Sequence, residues 1–317
     1  MLTTNIKIGF VILHYQAFDM TIKCVDNLLY KFSSKNIIIV LIDNASPNKS
    51  CIDLCNKYQN NEIVKIIQSD INLGFAKGNN LGYDYLKSNY NLDFMIVMNS
   101  DVIINQDDFI EKIYEIYNKN DFAVLGPSIF APSISLYQNP GPLKFANIQQ
   151  TKQFIKRYKK FIINDYKNYY LLKILHYLVF WWAKPIYKFI FKNKTTKYNV
   201  KNQPNLTQIK SIKNINEVEN SVLCGACYIF SKDFIDNRNY CFYPKTFLYF
   251  EEQILAYQCN KLSLKMLYSP NIEVIHYLDV SSEQSDDNKR NRYLNMWRHN
   301  IKSAKIYLDL LINNKLE

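Results

Sequence analysis

The sequence predicts an α/β fold built on a parallel sheet, and three observations support this. Over the first 130 residues, short apolar runs alternate with segments that carry apolar residues at helical spacing. Three of the apolar runs are followed by loops rich in Asp, Asn and Gly. The composition, 48% hydrophobic and 21% charged, is that of an ordinary globular chain, which excludes a fibrous or wholly disordered protein. Strands that alternate with helices imply parallel pairing with right-handed crossovers.

The elements are predicted in order along the chain. Apolar runs predict strands at 6–13, 37–42, 63–67 and 94–98, and helical spacing predicts helices at 21–32, 50–58, 76–86 and 107–117. Ser50 and Asp107 are the expected caps of the second and fourth helices. After Glu219, strand-like runs return at 222–230, 264–268 and 272–275, with a helix near 251–262 and a last helix that ends near Leu311.

The net charge of +11 is concentrated in one segment. Residues 144–201 contain fourteen Lys or Arg, fifteen aromatic residues and one acid, Asp165, so they carry +13 and the rest of the chain −2. Lys184, Lys188 and Lys192 recur at every fourth residue among apolar side chains, which is typical of a helix in a membrane interface. We therefore predict peripheral contact with an anionic membrane and no nucleic acid partner. A solvated basic face over an ordinary core is the alternative, and RNA binding is a weaker one.

Seven cysteines with no preceding secretory signal predict a cytosolic chain with free thiols. Cys224 and Cys227 form a single C-x-x-C. The second pair that a zinc ribbon needs is missing, so we interpret these two as small residues of a buried strand. No apolar run reaches the roughly 18 residues required to span a bilayer.

The polar loops predict a binding site. Ligands of open α/β sheets bind beyond the carboxyl ends of the strands, which selects the loops 43–47, 72–82 and 99–101. Turn formation explains each loop alone, but three at one edge of a sheet indicate a site. Asp43 can bond a ribose hydroxyl or a base N–H, and Asp101 suits a hard cation such as Mg²⁺ or Mn²⁺ bound to phosphate oxygens.

Other residues are candidates with simpler explanations. Glu251 and Glu252 begin a helix, where the dipole favours acids. They also follow the apolar residues 247–250, and an acid beside apolar surface has a raised pKa and is a better base. His14 and His276 each follow an apolar strand, where a histidine is more often structural than a ligand.

Glycines are few, and three of them lie at four-residue spacing within 72–82, at Gly74, Gly78 and Gly82. The last two allow a helix to pack closely on a neighbour or a ligand. The loop lacks the G-K-[ST] of a P-loop and the G-x-G-x-x-G of a dinucleotide site.

Seven stretches together carry a family resemblance. They are ILHY at 12–15, DNAS at 43–46, NLGFAKGNN at 72–80, NSD at 99–101, GA at 225–226, FLYFEE at 247–252 and the run at 270–276. In order and spacing the chain resembles a family 2 glycosyltransferase with the GT-A fold, and within it the rhamnosyltransferase-like enzymes of bacterial surface-polysaccharide pathways. The resemblance covers about two-thirds of the chain.

The resemblance implies an architecture. A Rossmann-like nucleotide-binding sheet would be joined to a mixed acceptor half, with a basic aromatic helical insertion and a C-terminal helix. The chain would then divide into a nucleotide-sugar-binding half (1–143), the insertion (144–215), an acceptor and catalytic half (216–280) and a helical tail (281–317).

It also implies an activity and residue roles. The enzyme would be a metal-dependent inverting transferase, using a UDP- or dTDP-linked sugar such as rhamnose and a glycan or lipid-linked acceptor, at the inner face of the plasma membrane. Glu252 matches the family's base, with Glu251 as the alternative, and Asp101 and His276 would bind Mg²⁺ or Mn²⁺. The nucleotide sugar would contact His14, Tyr15, Asp43, Asn44, Ser46, Gly74, Phe75, Gly78, Asn79, Asn80, Asn99 and Asp101.

Departures from the family pattern keep alternatives open. Glu252 stands where Asp is commonest, Asn99 where some relatives have Asp, and RNYCF at 238–242 replaces the usual GGFD. A catalytically silent nucleotide-binding or membrane-scaffolding protein is the main rival. A nucleotidyltransferase is disfavoured because residues 13–19 contain no Gly, Lys or Arg.

Overall fold

The computed structural model describes residues 6–182, 213–278 and 289–316. The strands of this part of the chain are β1 (Lys7–His14), β2 (Asn36–Asp43), β3 (Val64–Gln68), β4 (Phe94–Asn99), β5 (Val102–Ile103), β6 (Val124–Ala131), β7 (Leu136–Tyr137), β8 (Val218–Glu219), β9 (Cys227–Ser231) and β10 (Met266–His276). Its helices are α1 (Phe18–Lys31), α2 (Ser50–Tyr58), α3 (Gly74–Asn89), α4 (Phe109–Asn120), α5 (Ile148–Trp182), α6 (Lys232–Asn237), α7 (Glu251–Lys261) and α8 (Lys289–Asn313).

The strands form one sheet in the order β3-β2-β1-β4-β9-β6-β10-β5, with β7 beside β6 and β8 beside β10. Strands β3, β2, β1 and β4 are parallel. Strand β9 enters antiparallel to both β4 and β6, whereas β6 and β10 are parallel to each other. The sheet therefore has a parallel first half and a mixed second half, which confirms the α/β, GT-A-type arrangement predicted from the sequence.

Helices cover both faces of the sheet. Ile8, Phe10 and Ile12 of β1 pack in a core with α1, α2 and α4, and Val11 packs in a second core with α3, α6 and α7. A third core joins α5 and α8 to the start of α7. The basic aromatic segment thus begins as a helix that is packed on α8 and the start of α7.

Three sequence predictions need correction. The strand predicted over 222–230 begins only at Cys227, because backbone groups at 222–224 bond the loop 139–142 instead of a strand. The runs at 264–268 and 272–275 are one strand, β10, interrupted by an irregularity between Ser269 and Glu273. Strand β6 was not predicted, because Gly126 and Pro127 are unfavourable strand residues that here are held between β9 and β10.

The two expected helix caps are also different. Ser50 is the first residue of α2 and its hydroxyl bonds His14. Asp107 lies before the α4 cap residue, Asp108, and pairs with Lys31.

All seven cysteines are free. None of the helices in the described part of the chain is sufficiently long and apolar to traverse a lipid bilayer. The lysine stripe predicted at 184, 188 and 192 lies outside the described residues.

Candidate active site

The carboxyl ends of the parallel strands meet at one edge of the sheet, and the predicted loops follow them. The register places His14 opposite Asp43, Leu13 opposite Asn99, and Asp43 opposite Gln68. The backbone continues this alignment past the strand ends, since the Asn44 N–H donates to the His14 carbonyl at 2.9 Å. Predicted residues from three strands are therefore brought together, as the parallel-sheet argument required.

Asp43 is the acid at the centre of this edge. Its side chain is fully buried, and Oδ2 accepts a 3.3 Å hydrogen bond from the Ser46 N–H, while Oδ1 has no hydrogen-bond partner among the described residues. A buried carboxylate oxygen without a donor is costly. A base N–H or a ribose hydroxyl is the kind of donor that this oxygen lacks.

His14 lies beneath this edge and has no exposed surface, and its predicted contact with the nucleotide sugar stays a prediction. Its ring nitrogens bond the hydroxyls of Thr21 and Ser50, each at 2.7 Å. Burial lowers the pKa of His14 to about 4, against the opposing effect of the Asp43 charge, so the ring is neutral at pH 7. We assign it a role in fixing the strand ends. Tyr15, the next residue, is partly exposed.

Asn44 ties the loop before α3 to the carboxyl edge of the sheet. Its amide oxygen accepts from the Leu73 N–H at 2.8 Å, and its nitrogen donates to Asn72 and to the Gly74 carbonyl. Gly74 has φ +76°, and Phe75 donates its N–H to the Phe247 carbonyl at 2.6 Å. Gly74 and Phe75 thus connect this edge of the sheet to the segment that precedes Glu251.

We expect Gly74→Ala to be far more damaging than Gly78→Ala. At Gly74 a Cβ would need a left-handed backbone and would collide with the Phe247 carbonyl, so we expect a loss of at least about 2 kcal/mol in the free energy of unfolding. At Gly78 a Cβ meets only the flexible tip of Leu13, and alanine favours the helix by up to about 1 kcal/mol. Urea denaturation measures both; equal losses would contradict the assignment.

Asn79 and Asn80 are occupied by protein contacts. Asn79 is buried and donates to the Phe75 carbonyl of its own helix at 2.9 Å. Asn80 accepts from the N–H groups of Cys241 and Phe242 and donates to the Phe242 carbonyl. The amide of Asn80 therefore holds α3 to the backbone at 241–242, and the predicted diphosphate contact stays a prediction.

Asp101 and His276 form a close pair of side chains at the same edge of the sheet. Both are buried, and the Asp101 Oδ1 lies 3.2 Å from the His276 Nε2. The His276 Nδ1 is 2.7 Å from the Gln138 Oε1, which only accepts, so Nδ1 donates to Gln138 and Nε2 is the ring nitrogen that faces Asp101. Two such atoms at this distance require a proton or a cation between them.

The pair fits a divalent cation. Neighbouring ligands of an octahedral ion with bonds of about 2.1 Å lie about 3 Å apart, and metal-binding histidines commonly donate their other N–H to an acceptor such as Gln138. Within the described residues no group of three or more His, Cys, Asp or Glu surrounds this point. Asp101 and His276 would therefore supply two ligands, leaving the others to phosphate oxygens and water.

The acid pair at the start of α7 has two distinct environments. Glu251 is buried, and its Oε1 lacks a hydrogen-bond partner in the described structure. Burial, and then the Glu252 charge, raise the pKa of Glu251 from 4.5 to about 8. Glu252 is only partly buried, and backbone N–H groups, its own first and then that of Gly225, oppose the rise that burial causes in its pKa. Glu251 is thus protonated at neutral pH.

The backbone before this pair is unusual. Tyr249 and Phe250 have φ of 73° and 72°, a conformation that bulky residues rarely adopt. Neighbouring elements hold it: Ser303 of α8 donates to the Leu248 carbonyl at 2.8 Å, and His299 stacks on Phe247 with ring centroids 4.8 Å apart. This turn fixes the direction in which the Glu252 side chain projects from the start of α7.

The segment Gly225–Ala226 joins the two halves of the site. The Asn99 N–H donates to the Ala226 carbonyl at 2.9 Å, and a Cβ at Gly225 would lie 2.7 Å from the Glu252 Oε1. Glu252 and the strand end that carries Asp101 therefore border the same short segment. A side chain at position 225 would therefore displace the Glu252 carboxylate from the place it occupies here.

The pKa of Glu251 has a consequence for stability. The folded state favours the protonated form of Glu251. The contribution of this group to the free energy of unfolding is therefore complete below pH 4.5 and is lost as the pH rises toward 8, by at most about 1.4 kcal/mol per pH unit. In urea denaturation we expect Glu251→Gln and the wild type to have the same free energy of unfolding at pH 5, and the variant to have the higher one at pH 8.5. Glu62→Gln, at an exposed site, is the control; a difference independent of pH would contradict this.

Several residues of the site could not be found from the sequence. Gln138, Gly225 as the neighbour of Glu252, and the hydroxyls of Thr21 and Ser50 act through contacts across long stretches of chain. Only Gly225 gave a signal, as part of the family-like dipeptide at 225–226.

Comparison with known proteins adds to this geometry. Residues 10–178, more than half of the chain, match the family model described as glycosyl transferase family 2. Among curated proteins, the low-salt glycan biosynthesis hexosyltransferase Agl10 of Haloferax volcanii is 27% identical over 115 residues, which are 36% of this chain and 36% of that protein. That alignment therefore spans only about a third of the relative's length.

Solved structures of residues 1–349 of S. aureus TarS are also similar. The protein alone has 10% identity and a TM-score of 0.47, covering 94% of this chain and 72% of that one. Its complex with UDP has 11% identity and a TM-score of 0.48, covering 92% and 71%. The complex with UDP-GlcNAc has 18% identity and a TM-score of 0.33, covering 40% and 35%.

Proposed function

This chain belongs to glycosyl transferase family 2, and from that premise we propose that it transfers a sugar from a nucleotide diphosphate sugar to an acceptor hydroxyl. The observation that carries the proposal is that Gly225–Ala226 borders both Glu252 and the strand end that leads to Asp101. One side of this segment can hold a leaving group and the other can accept a proton. Displacement at an anomeric carbon needs both.

The donor would bind along the carboxyl edge of the sheet. The unpartnered Asp43 Oδ1 would accept from the base or ribose, beside Tyr15 and Ser46. Asp101 and His276 would hold Mg²⁺ or Mn²⁺, which when bound stabilises the charge that grows on the departing diphosphate. Gln138 keeps the His276 Nε2 directed toward Asp101.

Glu252 is the proposed base. Its carboxylate, held by the Gly225 N–H, would take the proton of the acceptor hydroxyl as that oxygen attacks the anomeric carbon opposite the diphosphate, which inverts the configuration. The protonated Glu251 keeps a second negative charge away from this point. Glu251, whose pKa is raised to about 8, is mostly protonated at pH 7, which makes it the weaker candidate for the base.

The substrate class follows from the family and from one relative. We propose a UDP- or dTDP-linked hexose, with rhamnose, galactose and glucose as the sugars to test, and a glycan or lipid-linked acceptor in surface-polysaccharide synthesis. The name of the Haloferax volcanii relative, a glycan biosynthesis hexosyltransferase, supports the transfer of a hexose to a glycan.

A donor panel tests the proposal. Release of nucleotide diphosphate is measured with each nucleotide sugar in Mn²⁺ or EDTA, and thermal stabilisation by the same donors is measured in parallel. We expect one donor to be turned over only with the metal. Stabilisation without turnover, even with a lipid-linked acceptor added, would favour the catalytically silent alternative, and the absence of both signals would reject a donor site.

A further inference from the structure

We propose that the exposed face of α5 binds the surface of an anionic lipid bilayer, through a basic half and an apolar half that follow each other along the helix. The basic half consists of five lysines at helical spacing, all exposed: Lys152, Lys156, Lys159, Lys160 and Lys167. At 100° per residue they fall within about 100° of one another around the helix. This surface does not depend on the transferase activity.

No exposed acid offsets these lysines on the described part of α5. The single acid of the helix, Asp165, is buried and paired with Arg290 of α8, whose guanidinium nitrogens lie 2.6 and 2.9 Å from Asp165 Oδ2. The one negative charge is thus neutralised on the inner side of the helix. The outer side is a uniformly positive strip, and such strips are attracted to anionic lipid.

The apolar half lies further along the same face. Ile163, Tyr170 and Leu171 are 53%, 58% and 56% exposed. With Tyr166 and Lys167 they line an open hollow whose surface is almost wholly apolar. Large apolar residues exposed side by side mark an interaction surface. Lysines that extend past them place charge at headgroup depth while the apolar groups enter the interface.

This combination favours a bilayer over a soluble polyanion. A polyanion would be satisfied by the lysines alone and would leave Ile163 and Leu171 in water. RNA would stack on aromatic rings and would leave the two aliphatic side chains uncovered; of the two adjacent tyrosines, Tyr169 already carries the Arg290 guanidinium at 4.0 Å, and Tyr170 is exposed.

The inner face of α5 connects this surface to the catalytic half. Phe154 packs edge-to-face on Phe250 with ring centroids 5.0 Å apart and stacks on Tyr158 at 4.2 Å. Phe250 is the residue that precedes the acid pair. The proposed membrane surface is therefore one helix away from the start of α7, on the acceptor half, where a lipid-linked acceptor would need to arrive.

Vesicle sedimentation with the full chain tests the proposal. Vesicles of phosphatidylcholine alone and with 30% phosphatidylglycerol are compared at low salt. One variant carries Lys152→Glu, Lys156→Glu, Lys159→Glu and Lys160→Glu. The matched control carries the same change at four exposed lysines elsewhere, Lys7, Lys23, Lys49 and Lys119. Circular dichroism shows whether each is folded.

We expect wild type and control to bind the anionic vesicles within threefold of each other, and the α5 variant to bind at least about 100-fold more weakly, since each lysine contributes about fivefold. Ile163→Ser with Tyr170→Ser should weaken binding several-fold. The proposal would be overturned if the α5 variant and the control bound the anionic vesicles equally. It would also be overturned if the wild type bound neutral and anionic vesicles equally. Unchanged vesicle binding by the serine variant, together with tighter, lysine-dependent binding of single-stranded RNA, would overturn it as well.

Discussion

Glu252→Gln is expected to lower kcat about 10²–10⁴-fold, whereas Glu251→Gln should retain most of the wild-type rate. The range is that of a general base removed from a displacement. The two residues are adjacent in sequence, so their difference must come from the surroundings. Glu251 is enclosed and protonated, while Glu252 is partly open and faces the Gly225 N–H.

The measurement is the rate of nucleotide diphosphate release with the donor found in the panel, at saturating donor and acceptor. Glutamine keeps the size of the side chain, so the loss reports the proton-accepting oxygen. Donor-induced thermal stabilisation should be preserved in Glu252→Gln, since the base acts after binding. A large loss in Glu251→Gln with little loss in Glu252→Gln would exchange the two roles.

Glycine at position 225 supplies an independent check of the same assignment. Alanine there would place a methyl group 2.7 Å from the Glu252 Oε1, so the carboxylate must move. The sequence marked this glycine only as part of a short family-like dipeptide. Its function depends on a contact with a residue 27 positions later, which no local pattern contains.

The parallel half could be predicted because its rules are local. The runs that became β1, β2, β3 and β4 are apolar and bounded by turn residues, and parallel pairing then aligns their carboxyl ends without further information. Asp43 and Asp101 were predicted as site residues in this way, from their positions at or shortly after the end of a strand.

The mixed half could not be predicted in the same detail, because its pattern is set by distant partners. Strand β6 contains Gly126 and Pro127, and β9 is inserted between two strands that precede it in the sequence. His14 shows the same limit within the site. Its place after β1 was evident, but its burial by Thr21 and Ser50 was not.

The other large effect is predicted for the pair formed by Asp101 and His276. Asp101→Asn removes a charged ligand without changing size, and we expect kcat/KM to fall at least about 100-fold, because loss of a residue that only orients a ligand already costs 10–100-fold. For Gln138→Ala we expect kcat/KM to fall about 10–100-fold, because this change leaves both proposed ligand atoms in place but removes the group that holds the His276 ring.

Dependence on Mn²⁺ separates these two effects. In Gln138→Ala, the Mn²⁺ concentration for half-maximal rate should rise, and excess Mn²⁺ should restore part of the activity, because the ligands remain. In Asp101→Asn, excess Mn²⁺ should restore little. Gln106→Ala is the matched control, because this amide also supports β10, through Asn271 and the Glu273 N–H, without a contact to His276. A rate that is independent of Mn²⁺ in all variants would exclude the metal at this pair.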